Sequence, residues 1–421
     1  MMTVSPLWQM QNTPLYDYGK LYKSVDTYSV VSPRTVTDVQ DIVSMARTDG
    51  TPLRLRASGH TFSGATLPRH NELLVRLHHL DHYRFEEPGT ITVGAGAILW
   101  DVRDFLRPYG LQLPVYNGGW GGPTVGGFMC SGGMGCWRWG LDNAPNPDIS
   151  DVDTPCLSEI HGGFWENVCS VTLVDGRGDI RVFTPADEAF RWLFGSFGQL
   201  GIFVEAKLRV LPMHVNGSAG YPLGQAGTIP KVQPEDPRMT DAPPPPFFGV
   251  NWLYWFSVLV SPTQEQAVWD ALGPVAAKHI PPLRPQGGWL GPCIGGVPLG
   301  YRYVIRCKHF NPPLLYPLDE AFLVMGFMGL LGTGTPRRNE RILAIEREFV
   351  DIALQQNFKL YLQAENLGLY ANFRQYYGAE IYSTFKHLKE SFDPFSLFNR
   401  GVFFPDDAEK PRRAVMAKLS V

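Results

Sequence analysis

A surplus of positive charge is the first thing this sequence lacks. Its 421 residues carry 37 basic and 40 acidic side chains for a formal net charge of -3, and no long run of Lys or Arg occurs. Neither a nucleic-acid backbone nor an anionic membrane is therefore favoured as a partner. No apolar stretch reaches the roughly 18–20 residues of a membrane-spanning helix. The opening MMTVSPLWQMQNTPLYDYGK has neither a basic start nor an apolar core, so a soluble, cytoplasmic protein is expected. Cysteine is scarce. Cys130, Cys136, Cys156, Cys169, Cys293 and Cys307 never fall in a CxxC pair, which argues against a disulfide framework and against a zinc ribbon. GxGxxG after a strand and GxxxxGK[ST] are both missing, so the Rossmann and P-loop signatures are unavailable. No internal repeat is found.

What is present points to a loop-rich enzyme of two or three domains, since single cores rarely grow past about 250–300 residues. Glycine (44) and proline (36) are abundant, and aromatics reach 13%. Such a mix suits a flat ligand, although a loop-rich mixed fold without one would look similar. The spacing predicts a helix in SPRTVTDVQDIVSMARTDG, with Thr37 and Gln40 at capping-box distance, an apolar stripe of Val39, Ile42, Val43 and Ala46, and Gly50 as the stop. Strands PLRLR, ELLVRL and TITVGAG, a helix AILWDVRDFLRPYG and a strand LQLPV follow, the alternation of an α/β or α+β fold. SVTLVDGRGDIRVFT reads as a hairpin turning at Asp175–Gly178, and Thr184 and Pro185 as the start of a short helix ADEAFRWLF. A strand IFVEAKLRVLP ends at Pro212. Beyond it, Gly- and Pro-rich sequence containing Pro243–Pro246 marks a domain junction. Residues from about 250 to 385 then supply strands VNWLYWFSVLV and KLYLQAENL and helices in PTQEQAVWDALGPVAAKH, PRRNERILAIEREFVDIALQQN and YGAEIYSTFKHLKESF.

Three glycine clusters stand out: ASGHTFSGA, NGGWGGPTVGGFMCSGGMG and GSFGQLGI. Glycine lets backbone N–H groups approach a diphosphate or flat ring at contact distance, although a flexible loop would use it too. The ordered blocks TVTDVQDIVSMARTDGTPLRLRASGHTFSG, ITVGAGAILWDVRDFLRPYGLQLPV, GPTVGGFMCSGGMG, VCSVTLVDGRGDIRVFT and FGSFGQLGIFVEAKLRVLP resemble the FAD-binding domain of the vanillyl-alcohol oxidase / p-cresol methylhydroxylase (PCMH-type) flavoprotein superfamily. FDPFSLFNRGVFF looks like that family's closing motif. The likeness spans about residues 28–212 and 385–404. It implies FAD, bonded in many members through its 8α-methyl group to the histidine of the GH motif, here His60. A neutral imidazole is nucleophilic enough to add to an electron-poor flavin, and the bond makes the flavin a stronger oxidant. A non-covalent contact or a core histidine is the plainer alternative.

By the same resemblance, Arg56, Ala57, Ser58, Gly59, Thr61, Phe62 and Ser63 would surround the diphosphate. Pro123, Thr124, Val125, Gly126, Gly127, Ser131 and Gly132 would cover the middle of the cofactor. Gly198, Gly201 and Ile202 would touch its other end, and Asn399 would approach the ring. Gly122 stands where doubly linked members carry cysteine, so one bond is implied and Cys130 reads as packing. GQLGI is similar to cytokinin dehydrogenases, but their base aspartate before TVGG is absent from NGGWGGP. Gly126 and Gly127 leave little bulk near the ring and favour oxygen access.

Hydride transfer to flavin N5 needs a group within about 3 Å to take the substrate's O–H or N–H proton. Glu365 is the first candidate, with Tyr361 and Gln363 on its face by two-residue spacing; a solvated strand-end carboxylate is the bland alternative. Asp142, Asp151 and Asp153 are further acids that read better as loop. His78, His79 and His82 read as a solvated turn, so no metal is expected. Trp252, Tyr254 and Phe256 would favour a flat substrate if their strand face lined the cap. The expectation is an α+β flavoprotein: an FAD-binding domain in two parts, 1–212 and 386–421, and an inserted α+β substrate domain, 213–385. The expected activity is an FAD-dependent oxidase or dehydrogenase of a small molecule, with O2 as acceptor. Alternatives are an oxidative cyclase or desaturase of secondary metabolism, or a non-catalytic flavin-fold binding protein.

Overall fold

The computed structural model describes residues 8–19, 21–85, 87–115, 123–134, 161–212, 253–279, 300–316, 321–330, 336–364 and 373–404. The first layer is a four-stranded sheet from β1 (Trp8–Gln11), β2 (Tyr28–Val31), β3 (Leu53–Arg56) and β4 (Leu73–Arg76), in the order β1-β2-β4-β3. β4 runs parallel to both its neighbours. Helix α1 (Val36–Asp49) makes the β2-to-β3 crossover and buries Val39, Ile42, Val43 and Ala46 among Leu53, Leu55, Leu73 and Val75. Gly50 closes the helix at φ +67°, as expected, but the cap lies two residues earlier than the sequence suggests. Thr35 and Asp38 form the reciprocal capping box, because Thr37 already lies within the first turn.

The second sheet is antiparallel and five-stranded. Its strands β5 (Tyr83–Arg84), β6 (Thr90–Gly94), β8 (Val168–Val174), β9 (Ile180–Phe183) and β10 (Ile202–Arg209) lie in the order β5-β6-β10-β8-β9. The predicted hairpin is β8–β9. Helix α2 (Leu99–Leu106) follows β6, and LQLPV contributes only β7 (Leu111–Gln112), paired with β11 (Leu211–Pro212). α3 (Val125–Cys130) opens on Thr124. Thr184 caps nothing: its N–H and hydroxyl both donate to Asp187, and a 3-10 turn begins at Glu188.

A third, antiparallel sheet comprises β12 (Leu253–Val260), β13 (Gly300–Arg306), β14 (Ala321–Leu330) and β15 (Lys359–Leu360), in the order β13-β14-β12-β15. Helices α4 (Glu265–His279) and α5 (Pro336–Gln355) accompany it. Among its described residues, KLYLQAENL is a strand over Lys359–Leu360 alone. After Leu360 the chain turns, so Tyr361 and Gln363 are not alternate residues of one strand face. α6 (Phe373–Tyr377) and α7 (Ala379–Phe392) complete the described chain, and the expected domain boundary at 385/386 falls inside α7. One apolar core joins the second sheet to the third, running from Phe194 and Phe203 to Phe256, Phe322 and Phe385. No helix among the described residues is long and apolar enough to cross a membrane.

The C-terminal segment returns to the open edge of β3. Leu53 N–H donates to the Leu397 carbonyl and Asn399 N–H to the Leu53 carbonyl, at 2.8 and 2.9 Å. Beneath this splice, Arg54 is fully buried. Its guanidinium holds both Glu72 oxygens (2.9 and 2.6 Å), the Ala65 carbonyl (3.0 Å) and the Arg400 carbonyl (2.9 Å). Removing one partner of such a pair strands the other's charge out of water. Arg54→Met is therefore expected to lower unfolding free energy by about 3–5 kcal/mol in urea titration, and Arg54→Met with Glu72→Leu to recover part of that loss.

Candidate active site

The loop after β3 turns on Gly59, whose φ of +71° suits glycine. A Cβ there would sit 2.4 Å from Arg56 Nη2. The Arg56 side chain has little room to yield, because Nη1 donates to Thr66 Oγ1 and Nη2 to the Tyr16 carbonyl, each at 2.9 Å. Ser58, His60, Thr61 and Ser63 are all buried to a tenth or less of their exposed area. The peptide N–H groups of Ser58, Gly59 and Thr61 find no backbone acceptor among the described residues. Donors without a backbone acceptor among the described residues, in a buried loop that bends around a glycine, form a lining suited to an anionic ligand.

His60 is held from several directions. Its Nδ1 lies 2.9 Å from Ser58 Oγ. Its ring stacks on Tyr18, with centroids 4.6 Å apart and planes 22° from parallel. Its carbonyl accepts from Gln363 Nε2 at 3.4 Å. Gln363 belongs to the turn after β15, and its backbone carbonyl takes the Phe62 N–H at 3.0 Å. The Gln363 Oε1 atom accepts from the Tyr361 hydroxyl at 2.5 Å and from Ser131 Oγ at 3.0 Å. Trp255 closes the group, meeting Phe62 and Tyr361 edge-on at 5.4 and 5.5 Å. Residues separated by up to about 350 positions thus converge on one loop.

The second glycine cluster contributes differently. Thr124 Oγ1 accepts from Gly127 N–H, while Val125 and Gly126 N–H groups donate to the Ala97 and Ala95 carbonyls. A Cβ on Gly126 would meet Ala95 Cβ at 2.8 Å, and one on Gly127 would meet Ala57 Cβ at 3.2 Å. Ala95, Ala57 and Thr124 Oγ1 thus take the space beside these two glycines. Pro123 contributes its carbonyl to Leu99 N–H, and the missing side chain of Gly132 is replaced by Leu315.

Asn399 does not stand free to approach a ring. Its Oδ1 takes the Leu55 N–H at 2.8 Å and its Nδ2 donates to the Phe197 carbonyl at 2.6 Å, stapling β3 to the third glycine cluster. Gly198 admits that amide, since a Cβ would lie 2.9 Å from Asn399 Nδ2. Gly201 is pressed to the Val174 carbonyl, and Ile202 is fully buried in β10. Burial pushes the Cys130 thiol up to about 12, consistent with packing. Phe256 is buried and stacks on Phe349 in the core, while its neighbour Trp255 meets Phe62 and Tyr361. Trp252, Glu365, Asp142, Asp151 and Asp153 lie outside the described residues.

His82 pairs with Glu205 at 2.9 Å, and burial lowers His78 to about 4. No group of three or more potential metal ligands occurs among the described residues. Tyr18 is the site's unexpected member; it carries no motif and arrives by tertiary contact.

Residues 28–141 match the family described as FAD binding domain. A FAD-linked oxidoreductase of Penicillium crustosum is 31% identical over 131 residues, 30% of this chain and 28% of the relative. A D-arabinono-1,4-lactone oxidase of Candida albicans is 22% identical over 204 residues, 44% of this chain and 32% of the relative. One bearing the same name from Yarrowia lipolytica is 25% identical over 315 residues, 72% of this chain and 52% of the relative. The chain thus spans from about a quarter to half of the length of these relatives. The loop donors around Gly59 that lack a backbone acceptor among the described residues fit FAD's diphosphate. Gly59→Ala, which combines a left-handed φ with the Arg56 collision, is expected to cut bound flavin per chain at least about fivefold while retaining the fold, read from visible absorbance and circular dichroism.

Proposed function

We propose, from the premise that the chain carries the FAD-binding domain of the PCMH-type flavoprotein superfamily, that it oxidises a small molecule at a C–H beside a hydroxyl or amine and delivers the electrons to O2. The observation that carries this reading is the meeting of the His60 loop with Tyr361, Gln363 and Trp255. Side chains from the third sheet stand over the loop that would hold the cofactor. Bound FAD would supply the two-electron acceptor for hydride. His60 would carry it covalently. We read the third sheet and its helices as the substrate-binding part, inserted between the two halves of the flavin domain.

Tyr361 donates its hydroxyl hydrogen to Gln363 Oε1. It serves better as a hydrogen-bond donor that orients substrate than as the base, because an amide oxygen this close would repel a phenolate. Glu365, two residues beyond Gln363, is the carboxylate proposed to take the heteroatom proton. Trp255 and Phe62 supply apolar surface that would exclude water as charge moves. The lactone oxidases among the relatives favour a hydroxyl-bearing substrate.

The purified protein is expected to be yellow and to keep a mass increase equal to FAD after acid denaturation, an increase lost in His60→Ala. A panel of alcohols, lactones, amines and phenolics screened for peroxide release would identify the substrate class; a colourless chain that takes up no FAD would overturn the reading. Tyr361→Phe is expected to reduce kcat/KM about tenfold or more with flavin content unchanged, the cost of one positioned hydrogen bond. Steady-state kinetics on the substrate found in that screen would check this.

A further inference from the structure

The segment before β2 has no part in the reading above, yet it touches its central residue. Tyr16 and Lys23 pair across a tight turn, within which Asp17 Oδ1 accepts from Tyr22 N–H. That turn is fastened to the His60 loop on both sides of Tyr18: the Tyr16 carbonyl accepts from Arg56 Nη2 at 2.9 Å, and Tyr18 N–H donates to the Thr61 carbonyl at 2.9 Å. Tyr22 lies directly under Gly64, where a Cβ would meet it at 3.0 Å. The Tyr18 ring is further wedged edge-on against Phe62 at 5.3 Å. Its face lies against the His60 imidazole.

We propose that Tyr18 is a positioning residue for flavin attachment, its ring fixing the plane in which His60 presents a nitrogen to the cofactor. The inference rests on His60 being the attachment residue. Attachment joins an imidazole nitrogen to the 8α-carbon of FAD. One 8α proton and the imidazole N–H proton would leave, and two electrons would pass through the isoalloxazine to O2, which takes up two protons and departs as hydrogen peroxide. The imidazole must hold one plane while that bond forms, and it gains positive character as it bonds. A stacked aromatic face meets both needs: it removes rotation about the histidine side chain, and its π-face favours a cation. Ser58 Oγ, on Nδ1, fixes the remaining rotation by telling one ring edge from the other.

Full-length Tyr18→Phe and Tyr18→Met, of similar bulk and respectively with and without a ring, separate stacking from mere filling. Each would be produced with ample riboflavin alongside wild type and His60→Ala. Total flavin comes from visible absorbance, and the covalent share from intact mass after acid denaturation. Tyr18→Phe is expected to match wild type, and Tyr18→Met to bind comparable flavin with an attached share about tenfold lower. An attached share in Tyr18→Met equal to wild type overturns the inference while leaving His60 as the attachment site. Wild type with flavin but no mass gain removes the attachment reading, and this inference with it. If Tyr18→Met does not fold, wild type prepared without flavin and labelled with 13C-histidine decides. Its His60 ring resonance, assigned by its loss in His60→Ala, is expected upfield of the other histidines from the Tyr18 ring current, and an unshifted resonance overturns the proposal.

Discussion

A single buried guanidinium sets the geometry on which the rest of the site depends. Arg54 binds the carbonyl that ends the His60 loop, the carboxylate that precedes β4 and the carbonyl of Arg400 in the returning C-terminal segment. The end of the loop, the start of β4 and a segment 346 residues away therefore share one rigid, planar set of donors. Lysine could not replace it, because its point charge has no fork with which to hold a carboxylate in two places and carbonyls in two others. A charge this deep costs stability unless every donor is used. That condition makes the loop's position an all-or-none property of the fold.

From that anchor the order of construction follows. β3 delivers Arg56, and Arg56 fixes the underside of the loop through Thr66 and Tyr16. Gly59 then turns the backbone with a φ of +71°. The third sheet adds Gln363, whose backbone and side chain both bind the loop while its Oε1 collects hydroxyls from Tyr361 and Ser131. Four polar contacts through one residue make the approach of the third sheet dependent on the loop being formed, and the reverse holds equally. The continuous apolar core between the sheets acts in the same direction.

What the sequence made legible was local. The apolar stripe of α1, its glycine stop and the β8–β9 hairpin follow from periodicity and turn chemistry within about 15 residues, and the GH loop from composition and order of motifs. Long-range contacts gave no such signal. Nothing near Tyr18 marks it as a partner for a histidine 42 residues on, and Gln363 sits in a run whose alternation reads as strand until Gly- and Pro-free sequence turns after Leu360. The same blindness explains the reassigned residues. Asn399 and Gly198 occur where a cofactor contact was expected because they are needed there, but their need is each other: the amide staples two backbones and the glycine makes room for it. Motif order located the crevice, while only tertiary contact could say which of its residues face inward.

Two kinds of recognition are thereby kept apart in the molecule. On the proposed reading the cofactor would be gripped mainly by backbone N–H groups, glycines and short hydroxyls, so side chains could drift as long as the path of the main chain is kept. Identities of 22–31% to relatives are compatible with a grip of that kind. On the same reading, selection of the substrate would fall to side chains between β12 and the turn after β15, where Trp255, Tyr361 and Gln363 meet the loop. An aromatic or amide exchanged there would alter what is bound without touching Arg54 or Gly59. Such a scaffold would change its substrate by altering the third sheet alone, provided that the residue at 363 still reached the His60 carbonyl.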